Sequence, residues 1–403
     1  MLDRAPSFWE RVPFMRALLA GPAPLPPGTR DARLDMFRGL ALVMIFINHV
    51  PGTVFEAFTN RNFGFSDAAE AFVFMSGAAA GLAYSGAFLK NVPLWLAIAR
   101  PWARARQLYF VHLTLTFIFL GTFAAAAHFF GLFELLETNN LRALAREPLS
   151  TLVGIPLLTH QFGYLNILPL YLTLLLATPL LIVLGLKKPY WLVAGSVVLW
   201  FIAGAFRLNF PNFPNSGGWF FNPLSWQLVF VLGLVAGMGM KLGQRAFPTH
   251  PVAFLAALGF LVLSVLWMKV QPVGAMGNGV LRWLWQAGAP FHIHSFDKTF
   301  LSLPRLLHAL CLFYVLASIP SMQAIAASRW VSPLRALRRQ GLPVFATGTA
   351  LSLLFQAVKA GVPENVLIDA AILVVGLGIQ LALAYALNHT AAMKANLTRA
   401  KAA

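Results

Sequence analysis

Apolar runs about twenty residues long recur from one end of the chain to the other, parted by short stretches rich in proline, glycine, arginine and lysine. A helical run of that length spans the hydrocarbon core of a bilayer. Ten such segments are predicted, over residues 36–56, 66–87, 104–131, 163–185, 190–206, 224–241, 251–268, 305–322, 341–358 and 365–387. The third is long enough to tilt or to run on as a surface helix, and the fifth is short. The expected fold class is therefore all-α, a polytopic membrane protein with about ten transmembrane helices.

The flanks read differently. In residues 1–30, Phe8, Val12, Met15 and Leu19 fall at helical spacing, while Glu10, Arg11 and Arg16 lie largely elsewhere. That pattern predicts an amphipathic segment on the membrane surface, joined to the first span by GPAPLPPG. Arg16 breaks the apolar run, which leaves no hydrophobic region of signal-peptide length. Residues 31–390 form the expected transmembrane domain, and residues 391–403 a short basic tail.

Charge sets the orientation. Of the thirty Lys and Arg, twenty fall on the side shared by the two termini and nine on the other, with Arg38 at a membrane edge. The positive side faces the cytoplasm, so both termini are expected there, and an even number of spans agrees. The opposite side owns the longer connections, 132–162, 207–223 and 269–304. Loops of that length often carry recognition.

Composition narrows the class further. The 403 residues are 59% hydrophobic and only 11% charged, against about 25% charged in soluble domains. The net charge of +17 comes from basic residues scattered singly among the spans. They form no basic stripe with interleaved aromatics, so the expected partner is the anionic lipid bilayer and not nucleic acid. Cys311 is the single cysteine, which excludes an intramolecular disulfide. It reads as a packing residue, with an acyl carrier as the sharper alternative.

Against this background the ionisable residues of the first two spans stand out. RLDMFRGLALVMIFINH carries Asp35 and Arg38 at one end and His49 near the other. Eleven residues separate Arg38 from His49, which is three helical turns and roughly 20° more. Both side chains share one face, about 16 Å apart along the axis. Asp35 lies one turn below Arg38 and is placed to pair with it. In the second span Glu70, Phe74, Gly77, Gly81 and Ser85 form a stripe of small residues headed by a carboxylate, the kind of stripe on which membrane helices pack closely. If the two helices are antiparallel neighbours, Glu70 comes to the depth of His49.

A neutral imidazole is a good general base near pH 7, and a neighbouring carboxylate fixes its tautomer. An arginine at the inner edge of the same face can receive a phosphate. Acyl-coenzyme A has the shape to lie along that face, phosphates inside and thioester near His49. A proton-coupled carrier would use the same His–Glu pair as a relay. Histidine also serves as a structural donor in membrane helices, and end charges snorkel to the surface, so periodicity alone leaves these readings open.

The block with Asp35, Arg38, Gly39 and His49 resembles the first-helix motif of the transmembrane acyltransferase superfamily, which includes the acyltransferase-3 enzymes. EAFVFMSG resembles its second-helix motif, with Glu70 where aspartate is common and Ser76 and Gly77 closing it. TNRNFGFSDAAEAFVFMSG, YLNILPLY, FNPLSWQLVFVLG and RLLHAL together resemble the OpgC family, which is associated with succinylation of osmoregulated periplasmic glucans in Gram-negative bacteria. The resemblance implies ten spans in the bacterial inner membrane and an acyl group, succinyl or acetyl, moved from a cytoplasmic thioester to a periplasmic sugar hydroxyl. Acyl-coenzyme A (succinyl-coenzyme A) is then a co-substrate, with no permanently bound cofactor, and a periplasmic glucan or other polysaccharide is the acceptor. It implies that His49 is the general base, oriented by Glu70 or Asp67, of which Glu70 is preferred. Arg38, with Asp35 and Ser76, would hold the donor, and Arg61 and Asn62 would meet the acceptor.

Arg305 and His308, one turn apart in RLLHAL, are candidates for contact with the acyl carbonyl or the glycan, or else form a structural polar pair. His292 and His294 lie two apart on an outer loop without evident further ligands, so no metal site is expected. Asp369 is placed to pair locally, with Lys359 or near Glu364, and is assigned no function. Trp219, Phe220, Phe221 and Trp226 read as an interfacial belt or as a platform for sugar rings.

Overall fold

The computed structural model describes Pro13 and residues 31–90, 92–244 and 248–402. The amphipathic segment expected before residue 31 lies outside this range, save Pro13. The long helices are α1 (Ala32–Asn48), α2 (Ala68–Leu89), α3 (Leu94–Phe130), α4 (Ile167–Lys187), α5 (Pro189–Ala205) and α6 (Pro223–Lys241). They continue as α7 (Pro251–Lys269), α8 (Gln271–Gln286), α9 (Leu303–Ser318), α10 (Gly341–Gly361) and α11 (Val366–Ala402). Among the described residues there is no β-strand, only an isolated bridge between Pro211 and Gly218. The protein is an all-α, multi-pass membrane protein. Seven of the described helices, α2, α3, α4, α6, α7, α10 and α11, are long and apolar enough to cross a bilayer, and α5 and α9 are shorter apolar helices.

Helix starts follow local chemistry. In α5, α6, α7, α8 and α9, proline stands at the first or second position, where its missing N–H costs nothing. Asp31 caps α1, and Asn222 caps α6, each accepting a backbone N–H with its side chain.

Three expected boundaries move. The first span is predicted to 56, but α1 stops at Asn48. Pro51 cannot continue the helix, Gly52 turns the chain at φ +80°, and two short 3-10 turns follow at Val54–Phe58 and Asn60–Asn62. The third span begins ten residues early, since α3 takes in Arg100, Arg104 and Arg106 on an exposed first section. The stretch 269–304, read as a loop, contains α8, and 132–162 contains the short helices Leu141–Arg146 and Pro148–Gly154. Beyond residue 390 the chain continues as the exposed end of α11.

The small-residue stripe of α2 decides the centre of the bundle, and its partner is α6. A Cβ on Gly77 would lie 2.0 Å from the Phe230 carbonyl oxygen, and one on Gly81 would lie 2.4 Å from that of Leu234. The reciprocal holds, since a Cβ on Gly233 or Gly237 would strike Phe74 O at 2.0 Å or Ala78 O at 2.1 Å. Both backbones therefore touch, and any side chain at these four positions would part the helices.

Two ends of the bundle differ. At one, the connections interlock: Gly163 N–H bonds Asn139 O, Asn222 N–H bonds Thr299 O, and Lys359 donates to Gly52 O. At the other, the basic helix Ser332–Arg339 crosses α1 so closely that a Cβ on Gly39 would lie 2.0 Å from Leu334 O.

Candidate functional site

The face of α1 reads Arg38, Leu42, Ile45, His49, and it looks toward α10 and α11. A narrow cavity of about 10 Å³, room for one water at most, follows it and is lined by Leu42, Ile45, His49, Phe345, Gly348 and Gln380, among others. His49 caps the C-terminal end of α1, where the Gln356 amide donates to its carbonyl at 2.7 Å. Its half-buried imidazole meets the Tyr164 ring edge-on, with centroids 4.9 Å apart. Tyr164 holds a left-handed backbone at φ +67°, a conformation that costs a bulky residue roughly 1–3 kcal/mol and gathers at functional sites. Its hydroxyl lies within electrostatic reach of Glu56 and Arg61.

The charges beside His49 form one network. Asp67 caps α2, accepting the Ala69 N–H at 2.8 Å, and the Glu70 carboxylate reaches back to the Asp67 N–H at 2.9 Å. This reciprocal cap is written in SDAAE. The Glu70 side chain has no exposed surface, and Arg305 donates to its Oε1 twice, at 2.6 and 2.9 Å. Arg305 also reaches Asp67 Oδ2 at 3.2 Å, and Lys298 donates to that same oxygen at 2.5 Å. Two carboxylates and two cations thus balance in a poorly solvated place, the condition under which buried charge is tolerated.

The expected partnership of Glu70 with His49 is not what the structure assembles. Glu70 is taken up by Arg305 and the α2 cap. The charges that act on the imidazole are those of Lys298 and Asp67. Asp67, the second choice from sequence, is therefore the carboxylate closer in effect to His49. Asp35 is paired from the crossing helix, where Arg338 lies 2.9 Å from its carboxylate. Arg38 is half-buried on the same face of α1. Ser76 is buried on α2, and its hydroxyl has no hydrogen-bond partner among the described residues.

Arg305 and His308 act as a clamp on the start of α2. Arg305 holds Glu70 and Asp67, and His308 Nδ1 lies 2.7 Å from Ser66 Oγ and accepts the Ser66 N–H at 3.3 Å. A backbone N–H can only donate, so Nδ1 carries no proton here. Gly64 leaves the room for this ring, because a Cβ there would meet His308 Nε2 at 1.8 Å. Arg61 is exposed and pairs with Glu56 at 3.4 Å, while Asn62 donates to the Glu56 carbonyl at 2.7 Å. Both sit on the loop above His49, and Asn62 shapes it.

The remaining sequence candidates fall outward from this centre. Lys359 pairs with Asp369 at 2.5 Å, and Asp369 accepts the Val54 N–H, so the two tie the 50–62 loop to α10 and α11. Cys311 packs with Phe254, Ala257 and Val315. His292 and His294 lie on a short helical turn, Phe291–His294, within the outer connection. His292 is buried against Trp200 and Phe201, and burial pushes its imidazole below the usual range. No group of three or more His, Cys, Asp or Glu able to hold a metal occurs among the described residues. Of the four crowded aromatics, Trp219, Phe221 and Trp226 are buried, which leaves Phe220 exposed.

Two residues of the site escaped the sequence reading. Tyr164 stood in the YLNILPLY block without any periodic signal. Lys298 stood in a long loop, in HIHSFDK, and only its neighbours in space give it meaning. Its backbone is fixed by Trp226, whose indole N–H bonds the Lys298 carbonyl at 2.9 Å, and by Trp200, which bonds Leu301 O at 2.9 Å.

Fold and site together define a multi-pass membrane protein whose polar groups gather at the loop-rich end of a helical bundle, above a helix face that leads to arginine. The class of reaction comes with the family: this is a membrane acyltransferase. The chain belongs to the OpgC protein family, whose match covers residues 30–391 and so takes in every candidate residue above. No curated protein and no solved structure matches the chain.

Proposed function

We propose that this protein moves an acyl group, succinyl in the leading reading, from acyl-coenzyme A in the cytoplasm to a hydroxyl of a periplasmic glucan. It does so in the bacterial inner membrane, through ten spans with both termini inside. The observation that carries the reading is the single face of α1 that bears Arg38 at one end and His49 at the other, with a small cavity beside Leu42, Ile45 and His49. The end with Arg38 is the cytoplasmic one, where the arginines meet the phosphates of the donor. The loop-rich end is periplasmic, where Arg61, Asn62 and Phe220 surround the acceptor.

In the reaction His49 takes the proton of the attacking hydroxyl. The hydroxyl oxygen bonds the thioester carbonyl carbon, the C–S bond breaks, and the thiolate leaves to be protonated as free coenzyme A. Asp67 stabilises the imidazolium that forms. An exporter that relays protons between His49 and Glu70 is less well supported, because Glu70 is committed to Arg305.

The test uses the purified full chain with acyl-coenzyme A and glucan, read by mass spectrometry of the product. His49→Ala is expected to lose transfer by about 10²–10⁴-fold, with an unchanged elution profile and melting midpoint. A folded variant that still transfers at the native rate overturns the reading.

A further inference from the structure

Four charged side chains make the network beside His49, and they are not equally open. Glu70 has no exposed surface, Arg305 keeps 12% of its side chain exposed, Asp67 15% and Lys298 26%. Arg305 uses Nε and Nη2 on two carboxylates. Lys298 has three N–H donors and, among the described residues, a single carboxylate acceptor, Asp67 Oδ2, which it must share with Arg305. Its ammonium also lies 5.4 Å from the Phe221 ring centre and 5.9 Å from that of Phe220, the latter ring 46% exposed. The ammonium therefore lies over two aromatic rings, partly exposed and beside an acceptor it shares, on a backbone pinned by Trp226 and Trp200. Its charge acts on the His49 imidazole.

That is the construction of an anion subsite. The rings thin the water around the ammonium, which strengthens any charge-assisted bond it makes. We propose that Lys298 receives the distal carboxylate of a short dicarboxylic acyl group while its thioester carbonyl lies at His49. Lys298 then selects the donor. The inference rests on the acyl-transfer reading above and names the chemical class of its acyl group. Arg305 is the positioning residue behind it: by sharing Asp67 Oδ2 it keeps that carboxylate from satisfying Lys298 alone.

The experiment compares succinyl-coenzyme A with acetyl-coenzyme A as donors to glucan, in wild type, Lys298→Gln and Lys298→Arg. The succinyl-to-acetyl ratio of kcat/KM is expected to fall at least about tenfold in K298Q and to return most of the way in K298R. A merely structural lysine would lower both donors together and leave the ratio alone. A second measurement needs no variant: wild type is given the monomethyl ester of succinyl-coenzyme A, which keeps the chain and removes the charge. It should be a donor at least about tenfold poorer than succinyl-coenzyme A. Equal use of the two donors by wild type, or an unchanged ratio in folded K298Q, overturns the proposal and leaves acyl transfer standing. Wild type that transfers neither succinyl nor acetyl overturns both.

Discussion

The His49 imidazole and the Tyr164 ring stand edge to face, centroids 4.9 Å apart and planes inclined at 64°. One ends a helix that begins at residue 32, and the other sits in a loop 115 residues later in the chain, at a backbone angle that bulky residues rarely adopt. Aromatic pairs of this geometry contribute about 0.5–1.5 kcal/mol beyond their burial, enough to bias the imidazole toward one orientation.

Removing that wall should therefore cost catalysis more than stability. Tyr164→Ala is expected to lower kcat by about 10²-fold, the scale of a small misplacement of a reacting group, with KM for the donor little changed. Tyr164→Phe keeps the ring and separates its packing from its hydroxyl. Steady-state kinetics of the two variants decides which of these matters, and native kcat in Y164A would remove Tyr164 from the site.

Arg305 and Glu70 make the opposite kind of pair, one in which breaking is worse than replacing. Arg305→Ala leaves a carboxylate with no exposed surface and no cation on it, which should destabilise the protein by about 3–5 kcal/mol. Glu70→Gln on top of Arg305→Met removes both charges at similar size and should recover much of that loss. Denaturation of wild type, R305A and the double variant in detergent measures the difference. Equal stability of R305A and the double variant would show that the pair holds nothing.

The cavity along α1 gives a third outcome. Gly348 lines it, and a Cβ there would already lie 2.6 Å from Gln380 Oε1. Gly348→Leu should therefore fill the cavity beside His49 and reduce kcat/KM for the acyl donor by about 10²-fold. Gly259 on α7 is the control, since a Cβ there meets nothing within 4 Å, and G259L should transfer normally. Normal kcat/KM in folded G348L would place the donor elsewhere.

What the amino-acid order determined by itself is most of the long apolar helices and the contents of each helix face. Apolar length, proline at helix starts and the Asp67–Glu70 cap are local facts, set by a fixed rise and rotation per residue. So α4 to α7 begin and end within a few residues of expectation, and Arg38 and His49 share a face as their spacing requires. The end of α1 moved because Pro51 and Gly52 outweighed an apolar run that continues past them.

Only the tertiary structure decided what covers each face. The α2 stripe announced a close neighbour but not that α6 supplies it, through Gly233 and Gly237. Glu70 found Arg305, 235 residues away, and Asp35 found Arg338. Lys298 and Tyr164 entered the site from loops that carry no period to read. A charge buried in an apolar bundle is stabilised by whichever opposite charge the packing delivers, and packing is a property of the whole chain.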